Sequence, residues 1–313
     1  MKAIITRKQR TKVRRLKKKA ILERWQLYLM LLPAIAYLLL FHYKPIYGII
    51  IAFKDFSPRK GILGSDWVGF ENFERLFNSY WFPIILKNTL TVSLMGIFLT
   101  FPLPIILALM VNEIRNQKIK KAFQIISYAP HFISLVVVCS MVTLFLSPST
   151  GIVSQAMAAL GLEQYWLTDP GAFKWIFVIS GAWTGVGWGA IIYYATLSAV
   201  DPTLHEAAQI DGASRLQRIW HVNVPALIPT FVIMLIMKFG HVMSVGYEKA
   251  YLLQNDLNLV GSEVIGTYVY KLGLQKGDFS FSTAVGLLNS VVNTILLISV
   301  NKVSKKVSGS GLL

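Results

Sequence analysis

Six long apolar runs are the feature that most constrains how this 313-residue chain can fold. A helix needs about 20 apolar residues to cross the roughly 30 Å hydrocarbon layer of a membrane. Hydrophobic residues make up 54% of the chain and charged residues 15%, which is too apolar for a soluble protein. We therefore predict an all-α membrane protein with six transmembrane helices. The predicted spans are about 25–43 with an apolar continuation to 53, 82–111, 122–146, 172–200, 226–247 and 281–300.

Positive charge is concentrated on one side of this predicted topology. Eleven of the 31 Lys and Arg precede the first span, nine more lie on the same side, and seven lie in the loops of the other side. Because Lys and Arg accumulate on the cytoplasmic side, both termini are predicted to be cytoplasmic. The predicted division is a basic tail over 1–24, a membrane domain over 25–302 and a C-terminal tail over 303–313. The basic tail is expected to lie on anionic lipid, and no nucleic-acid partner is predicted.

The polar stretch over 201–225 is predicted to form a short helix-turn-helix between the fourth and fifth spans. Asp201, followed by proline, is a good helix start. Gly212 would end the first helix because glycine enters the left-handed conformation at little steric cost. Ser214 can then cap a second short helix that runs through Trp220, and the proline at 225 would open the next apolar segment.

This predicted turn has a surface with almost no side-chain bulk, so another protein could approach it closely. The residues that form this surface are Ala207, Ala208 and Gly212. An ordinary amphipathic loop is the alternative that the shape alone leaves open.

The spacing of residues in the loop resembles the EAA signature of permease subunits of binding-protein-dependent ABC importers. That signature has Glu-Ala-Ala, three residues, glycine, nine residues and Ile-x-Leu-Pro. Here Glu206 begins it, Gly212 and Pro225 keep the spacing, and valine stands at the Ile and Leu positions. Asp211 and Ala213 flank the glycine and complete an Asp-Gly-Ala extension typical of sugar permeases. In this family the loop is the coupling helix that docks on the ATPase, so the resemblance implies that Glu206 contacts the ATPase and that Gly212 forms the bend.

Shorter stretches resemble the polysaccharide branch of the maltose-type carbohydrate uptake permeases. They are 47–48 with 52–55, 88–90, 130–134, and 246–249 with 251–253. The resemblance implies a type I importer fold with a cytoplasmic coupling loop, in a bacterial plasma membrane. It implies a heterodimer with a second homologous permease, an extracytoplasmic solute-binding protein, and two ATPase subunits that carry ATP and Mg and dock on 201–225. Members of this branch tend to carry complex or acidic oligosaccharides, such as uronate-containing ones.

The chain itself lacks the sequence signatures of an enzyme. It contains no GxxxxGK[ST] phosphate loop and no HExxH, CxxC or GxSxG motif. Its one cysteine, Cys139, lies in an apolar run and is expected to be a buried thiol. We predict no catalytic residue, no metal site and no cofactor on this chain, so the energy for uphill transport would have to come from a partner or an ion gradient.

Polar residues inside predicted spans are candidates for the substrate path, because such residues are costly in hydrocarbon. Lys238 and His241 are three apart in the predicted fifth span and would share a helix face that points to the interior or to a cavity. A contact along the translocation path and a structural hydrogen bond between helices both fit this pattern. If the solute is an acidic sugar, a cation here would attract its carboxylate.

Three further positions are candidates within the spans. Asn289 and Asn293 are four apart in the sixth span, and their amides are expected to bridge helices rather than line a wet path. Trp188 in the glycine-rich fourth span is the preferred platform for stacking a sugar ring, although interfacial anchoring and close packing account for most aromatic residues there. Pro130 is expected to kink the third span, and a ligand role for the adjacent His131 is less favoured.

Two other classes of protein remain as alternatives. A proton-coupled secondary transporter could use Lys238 and His241, but it would usually show inverted repeats and broken helices, which the sequence does not reveal. A membrane enzyme acting on lipid-linked sugar would need a catalytic carboxylate or a metal cluster. The acids of the first outer loop, whose spacing gives no metal signature, are Asp55, Asp66, Glu71 and Glu74.

Overall fold

The computed structural model describes residues 25–162 and 165–308, and its longer elements are helical. In chain order these helices are α1 (Trp25–Phe53), α2 (Glu71–Phe77), α3 (Trp81–Asn112), α4 (Gln117–Tyr128), α5 (Leu135–Phe145), α6 (Ile152–Ala159), α7 (Ala172–Ser198), α8 (Pro202–Ile210), α9 (Arg215–Phe239), α10 (Tyr247–Leu253), α11 (Ile265–Tyr270) and α12 (Phe279–Ser308). Single helical turns also occur at Gly61–Gly64 and Leu259–Ser262, and β1 (Lys54–Asp55) pairs antiparallel with β2 (Asp66–Trp67). The predicted basic tail over 1–24 and the last residues, 309–313, lie outside the described residues.

Five helices in the described part of the chain are long and apolar enough to cross a membrane, namely α1, α3, α7, α9 and α12. They correspond to five of the six predicted spans, so the all-α membrane fold is confirmed. Two of the predicted ends are wrong. Helix α9 ends at Phe239 rather than near residue 247, and α12 continues to Ser308, eight residues beyond the predicted end at 300.

The predicted third span is not one kinked helix but two helices, α4 and α5, that are bent by 94° relative to each other. A single 3₁₀ turn, Ala129–Phe132, lies between them. Pro130 within this turn has no backbone N–H, so it cannot continue the α-helical ladder. Beyond the turn the Ser134 hydroxyl accepts a hydrogen bond from the backbone N–H of Val137 and starts α5 as a new helix. The chain has a sixth span only if the bent pair of α4 and α5 together crosses the membrane, as a broken span rather than a re-entrant loop.

Three spans contain a wide π turn, and in each case a proline follows two residues later. The turns are Leu39–Tyr43 before Pro45 in α1, Gly96–Thr100 before Pro102 in α3, and Ile219–Asn223 before Pro225 in α9. A proline lacks the N–H for an i→i−4 bond, and its ring clashes with the carbonyl four residues back. In all three turns the N–H just past the turn donates to the carbonyl five residues earlier, so the helix widens and then continues through the proline.

Helix α7 is the centre of the bundle, with α3, α4 and α9 packed around it. One buried cluster joins Ala108 of α3, Tyr193 and Leu197 of α7, and Leu227 of α9. On another side, α4 approaches α7 so closely that a Cβ at Gly187 would lie 1.9 Å from the backbone oxygen of Ser127. The absence of a side chain at this position is what permits the contact.

A buried polar network holds the segment after α9 against α3 at the end of the bundle opposite residues 201–225. The Glu263 carboxylate accepts hydrogen bonds from Lys271 at 2.6 Å and from the Thr267 hydroxyl at 2.7 Å. The Asn88 amide of α3 donates to the backbone oxygen of Glu263 at 3.0 Å. The Thr89 hydroxyl accepts from the backbone N–H of Ile265 at 3.0 Å. Because buried polar groups are stable only when they are paired, this network fixes where the segment lies.

We expect Gly187→Ala to destabilise the protein by about 1–3 kcal/mol, because the added methyl group pushes α4 away from α7. The matched control is Gly185→Ala on the same helix, where a Cβ would meet no atom within 4 Å. Thermal unfolding of the purified protein in detergent would measure both changes. Equal melting temperatures for the two variants would contradict the importance of this contact.

Candidate functional site

The coupling loop, residues 201–225, begins with helix α8, which has a capped N-terminus. The Asp201 carboxylate accepts a hydrogen bond from the backbone N–H of Thr203 at 2.9 Å. This bond holds the pKa of Asp201 below its usual value. Pro202 occupies the first helical position, where a missing N–H costs nothing. The local sequence therefore starts α8 where it was predicted to start.

The other end of α8 closes with a left-handed glycine, in agreement with the sequence prediction. Gly212 has a φ of +77°, which side-chain-bearing residues rarely adopt. The N–H of Ala213 donates to the oxygen of Ala208 at 2.8 Å, and the N–H of Gly212 donates to the oxygen of Gln209 at 3.1 Å. These two bonds form a Schellman motif, which satisfies carbonyls at the end of the helix.

The second arm of the coupling loop differs from the prediction. Ser214 caps it as expected: its hydroxyl accepts from the Gln217 N–H, and the Gln217 side chain accepts from the Ser214 N–H at 2.7 Å. However, no separate short helix ends at Trp220, and Pro225 does not open a new segment. The arm continues without interruption as α9 to Phe239, because the π turn before Pro225 accommodates the proline.

The coupling loop presents an exposed surface of mixed character. Glu206, Ala207, Asp211, Gly212 and Pro225 are exposed, and Ala208 is half-buried. Large apolar side chains are exposed beside them, including Ile210 (87% exposed), Leu216 and Trp220. A cavity of about 240 Å³ lies between the end of α8 and the start of α9 and is lined by both. Contiguous exposed apolar side chains next to charged ones are typical of a protein–protein contact surface.

A second candidate site is a cavity of about 530 Å³ between α3, α7 and α9, which we call the Trp188 cavity. Three of the predicted substrate-path residues, Trp188, Lys238 and His241, line it together. Three glycines spaced by four on α7 line the same cavity, at positions 181, 185 and 189. Four residues are about one helical turn, so these glycines share a face whose missing side chains provide the space.

An adjoining cavity of about 280 Å³, which we call the Ser93 cavity, lies toward the end of the bundle opposite the coupling loop. It shares four lining residues with the Trp188 cavity: Thr100, Gly181, Lys238 and His241. Lys238 and His241 therefore lie where the two cavities meet. Among the described residues no Asp or Glu lines either cavity. The shared region consequently favours anions over cations.

Lys238 and His241 do not share a helix face as predicted, because α9 ends between them. The His241 N–H donates to the Lys238 oxygen at 3.1 Å in the turn that closes the helix. Gly240 in this turn lies against α12, where a Cβ would be 2.4 Å from Leu297 Cδ1. The backbone from residue 240 to 246 is not helical, and irregular backbone at membrane depth is tolerated where protein covers it or where it lines a cavity.

The two predicted substrate-path asparagines of α12, Asn289 and Asn293, lie outside both cavities. Asn293 Oδ1 accepts from the Met243 N–H at 2.9 Å, and its Nδ2 donates to the Ser244 hydroxyl at 2.9 Å. These bonds bridge α12 to the irregular segment after α9. The Oδ1 atom of Asn289 is buried and has no hydrogen-bond partner.

One face of the Trp188 indole is covered by a stacked ring, and no other ring of the described residues stacks on the opposite face. His131, in the turn between α4 and α5, stacks on the indole with ring centroids 4.4 Å apart and an interplanar angle of 8°. Phe132 meets the indole edge-on at 6.0 Å. The break in the third span thus positions His131, and this geometry fixes the orientation of the indole.

Lys249 is a residue that sequence reasoning missed, since it lies in the predicted polar loop after the fifth span. It is only 9% exposed, and its ammonium group donates to the Phe177 oxygen at 2.7 Å and sits 4.6 Å from the centre of the Phe177 ring. Burial lowers the pKa of Lys249 to about 8. The sequence does contain one signal of this burial. Lys249 is adjacent to Ala250 and four residues before Leu253, and both of these apolar residues are buried on α10.

Two of the acids considered for a membrane enzyme, Asp55 and Asp66, are cross-strand partners in β1 and β2. Asp66 pairs with Lys60 at 2.6 Å at an exposed site. Within 25–162 and 165–308, no three His, Cys, Asp or Glu side chains come together in a way that could hold a metal ion. Cys139 is buried, as predicted.

Comparison with known proteins places this geometry in a family. The family model described as "Binding-protein-dependent transport system inner membrane component" matches residues 100–309. The polygalacturonan/rhamnogalacturonan transport system permease protein YteP of Bacillus subtilis is 42% identical over 99% of this chain and 96% of its own length. Protein LplB of the same organism is 40% identical over 93% of this chain and 91% of its own length.

A solved structure agrees with these sequence matches. The crystal structure of a bacterial ABC transporter involved in the import of the acidic polysaccharide alginate contains a similar chain. Its TM-score is 0.85 at 41% identity, covering 94% of this chain and 99% of that one. The chain therefore belongs to the family of inner membrane components of binding-protein-dependent transport systems. It is a multi-pass membrane transport component rather than an enzyme.

We expect Gly212→Ala to loosen the coupling loop, because a side chain in the left-handed conformation costs about 1–2 kcal/mol. Gly212→Asn should perturb the loop less, since asparagine tolerates this conformation. Hydrogen exchange at the Ala213 amide would report the effect, with exchange in Gly212→Ala about 5- to 30-fold faster than in the parent protein if exchange follows that free-energy change. Equal exchange rates in all three proteins would contradict the role of the Schellman motif.

Proposed function

We propose that this chain is one permease subunit of an ATP-driven importer whose substrates are oligosaccharides that include acidic, uronate-containing ones. The observation that carries the substrate class is the meeting of the two cavities at Lys238 and His241, with no carboxylate among the described lining residues. A cation in such surroundings attracts an anionic sugar and has no competing acid beside it. The relatives named for polygalacturonan/rhamnogalacturonan and alginate transport support the same class.

The partners follow from the family and from the exposed coupling loop. We infer a heterodimer with a second homologous permease, two ATPase subunits that dock on residues 201–225 and bind ATP and Mg, and an extracytoplasmic solute-binding protein. The site of action is the bacterial plasma membrane, with both termini and the coupling loop in the cytoplasm. This orientation rests on the excess of Lys and Arg on that side of the chain.

In the proposed mechanism, ATP binding closes the ATPase pair and moves the coupling loop. Glu206 makes a charged contact to the ATPase, and the turn at Gly212 keeps the two arms of the loop at a fixed angle. Helix α9 then carries the movement toward Lys238, and the cavities open alternately to the two sides of the membrane. The uncovered face of Trp188 supports a sugar ring, while Lys238 and His241 attract its carboxylates.

A proton-coupled secondary transporter that uses Lys238 and His241 is the weaker alternative, because membership of a binding-protein-dependent family argues against it. Uptake in the presence of a protonophore, with ATP maintained, separates the two. The importer continues to accumulate sugar under these conditions, whereas the secondary transporter stops.

Replacing Glu206 with alanine, or Gly212 with proline, should abolish most of the sugar-stimulated ATP hydrolysis of the complex co-purified with its ATPase subunits. The reason is that both changes act on the surface expected to dock on the ATPase. Lys305→Ala, on the predicted cytoplasmic side but outside the loop, serves as the control. Transport that persists without an associated ATPase would contradict the importer.

Replacing Lys238 with methionine should raise the KM for a uronate oligosaccharide at least tenfold, because a hydrogen bond to a charged group contributes about 1.5–3 kcal/mol. Uptake of the same oligosaccharide after reduction of its carboxyl groups should change little. Lys87→Met, at an exposed position outside both cavities, is the control. Unchanged uptake of every transported sugar by Lys238→Met would count against a carboxylate contact.

A further inference from the structure

The Lys249 ammonium is a buried cation that has no carboxylate partner among the ion pairs of the described residues. Those ion pairs join Lys60 to Asp66, Arg75 to Asp278 and Lys271 to Glu263. Lys271, which belongs to the same segment of the chain, shows the contrast, since it has both Glu263 and Gln254 as acceptors.

This arrangement is energetically unusual. An ammonium group has three N–H donors, and the bond to the Phe177 oxygen uses one of them. The Phe177 ring beneath the ammonium compensates part of the lost hydration. A buried charge without an opposite charge remains costly, and a carboxylate that reached it would relieve this cost.

The position of the ammonium connects it to the substrate path. Phe177, its hydrogen-bond partner, lines the Ser93 cavity, and Gly181, one helical turn further along α7, lines both cavities. A Cβ atom at Gly181 would lie only 3.1 Å from Lys249 Nζ. The ammonium group therefore borders the space that a side chain at Gly181 would occupy, while Lys249 itself is not among the lining residues of either cavity. Lys238 at the end of α9 and His241 in the turn that follows it line the same cavity.

We propose that Lys249 binds a carboxylate of the passing sugar in the Ser93 cavity, and that Gly181 is the opening through which the carboxylate reaches it. This proposal rests on the proposed function and assigns a specificity-determining residue to it. A uronate in the Ser93 cavity would then meet two lysines, Lys249 on one side and Lys238 at the junction with the Trp188 cavity. A neutral sugar gains nothing from Lys249.

A structural role for Lys249, in which it only caps the Phe177 oxygen, makes a different prediction. Loss of such a cap would affect the transport of all sugars and the stability of the protein. Loss of a carboxylate-binding group would affect acidic sugars alone. The two roles therefore differ in which substrates are affected.

The experiment uses the complete transporter, with its partner subunits, reconstituted in lipid vesicles. Uptake of a defined oligouronate is compared with uptake of the same oligosaccharide after its carboxyl groups are reduced to alcohols. The variants are Lys249→Met, which keeps the apolar stem and removes the charge, and Gly181→Ala, which keeps the lysine and narrows its access. Lys276→Met, an exposed lysine outside both cavities, is the control.

We expect both variants to lower oligouronate uptake at least tenfold while uptake of the reduced sugar and the melting temperature stay close to those of the parent protein. Equal losses for both sugars, or oligouronate uptake as fast as in the Lys276→Met control, would overturn the role of Lys249. If Lys249→Met fails to assemble, Gly181→Ala decides by the same comparison. A parent transporter that imports only the reduced sugar would instead refute the acidic substrate class in the proposed function.

Discussion

The structure depends on one constraint of the hydrocarbon layer, which is that each backbone N–H and C=O group needs a partner within the protein. Pro45, Pro102 and Pro225 lie within spans, and a π turn ahead of each of these three lets the helix continue past the missing N–H. Where the helix does stop, side chains replace the lost bonds. Asn293 accepts from the Met243 N–H, and the Ser93 hydroxyl donates to the Val242 oxygen. The irregular segment beside the cavities is stable because α3 and α12 satisfy its backbone.

The space for a substrate also comes from a simple cause. Glycines at 181, 185 and 189 remove side chains from one face of α7, while Gly187, between them, lies where α4 packs against the helix. One helix thus uses the same residue type for two purposes on two faces. Small residues let neighbouring groups approach closely, as Pro104 does at Gly189, and they leave space beside the cavity at Gly185, where a Cβ would meet no atom within 4 Å.

Much of the fold could be predicted from the sequence because span length and hydropathy are local properties. Five of the six spans were located in this way, and so was the start of α8 at Asp201 and its end near Gly212. The 94° bend between Phe132 and Leu135 was predicted only as a kink at Pro130, since a proline in a span can kink a helix, widen it or end it. Pro225 was misjudged for the same reason. Lys249 was missed because its burial results from packing against α7, which hydropathy along the chain does not reveal.

The continuity of the second arm of the coupling loop with α9 has a mechanical consequence. The 25 residues from Arg215 to Phe239 form one rod about 37 Å long, at about 1.5 Å per residue. One end of this rod lies in the exposed loop and the other carries Lys238, so the rod acts as a lever arm. A tilt of about 5° about one end would displace the other by about 3 Å, given that length. A small push at the loop is therefore enough to move a charged group by about the length of a hydrogen bond.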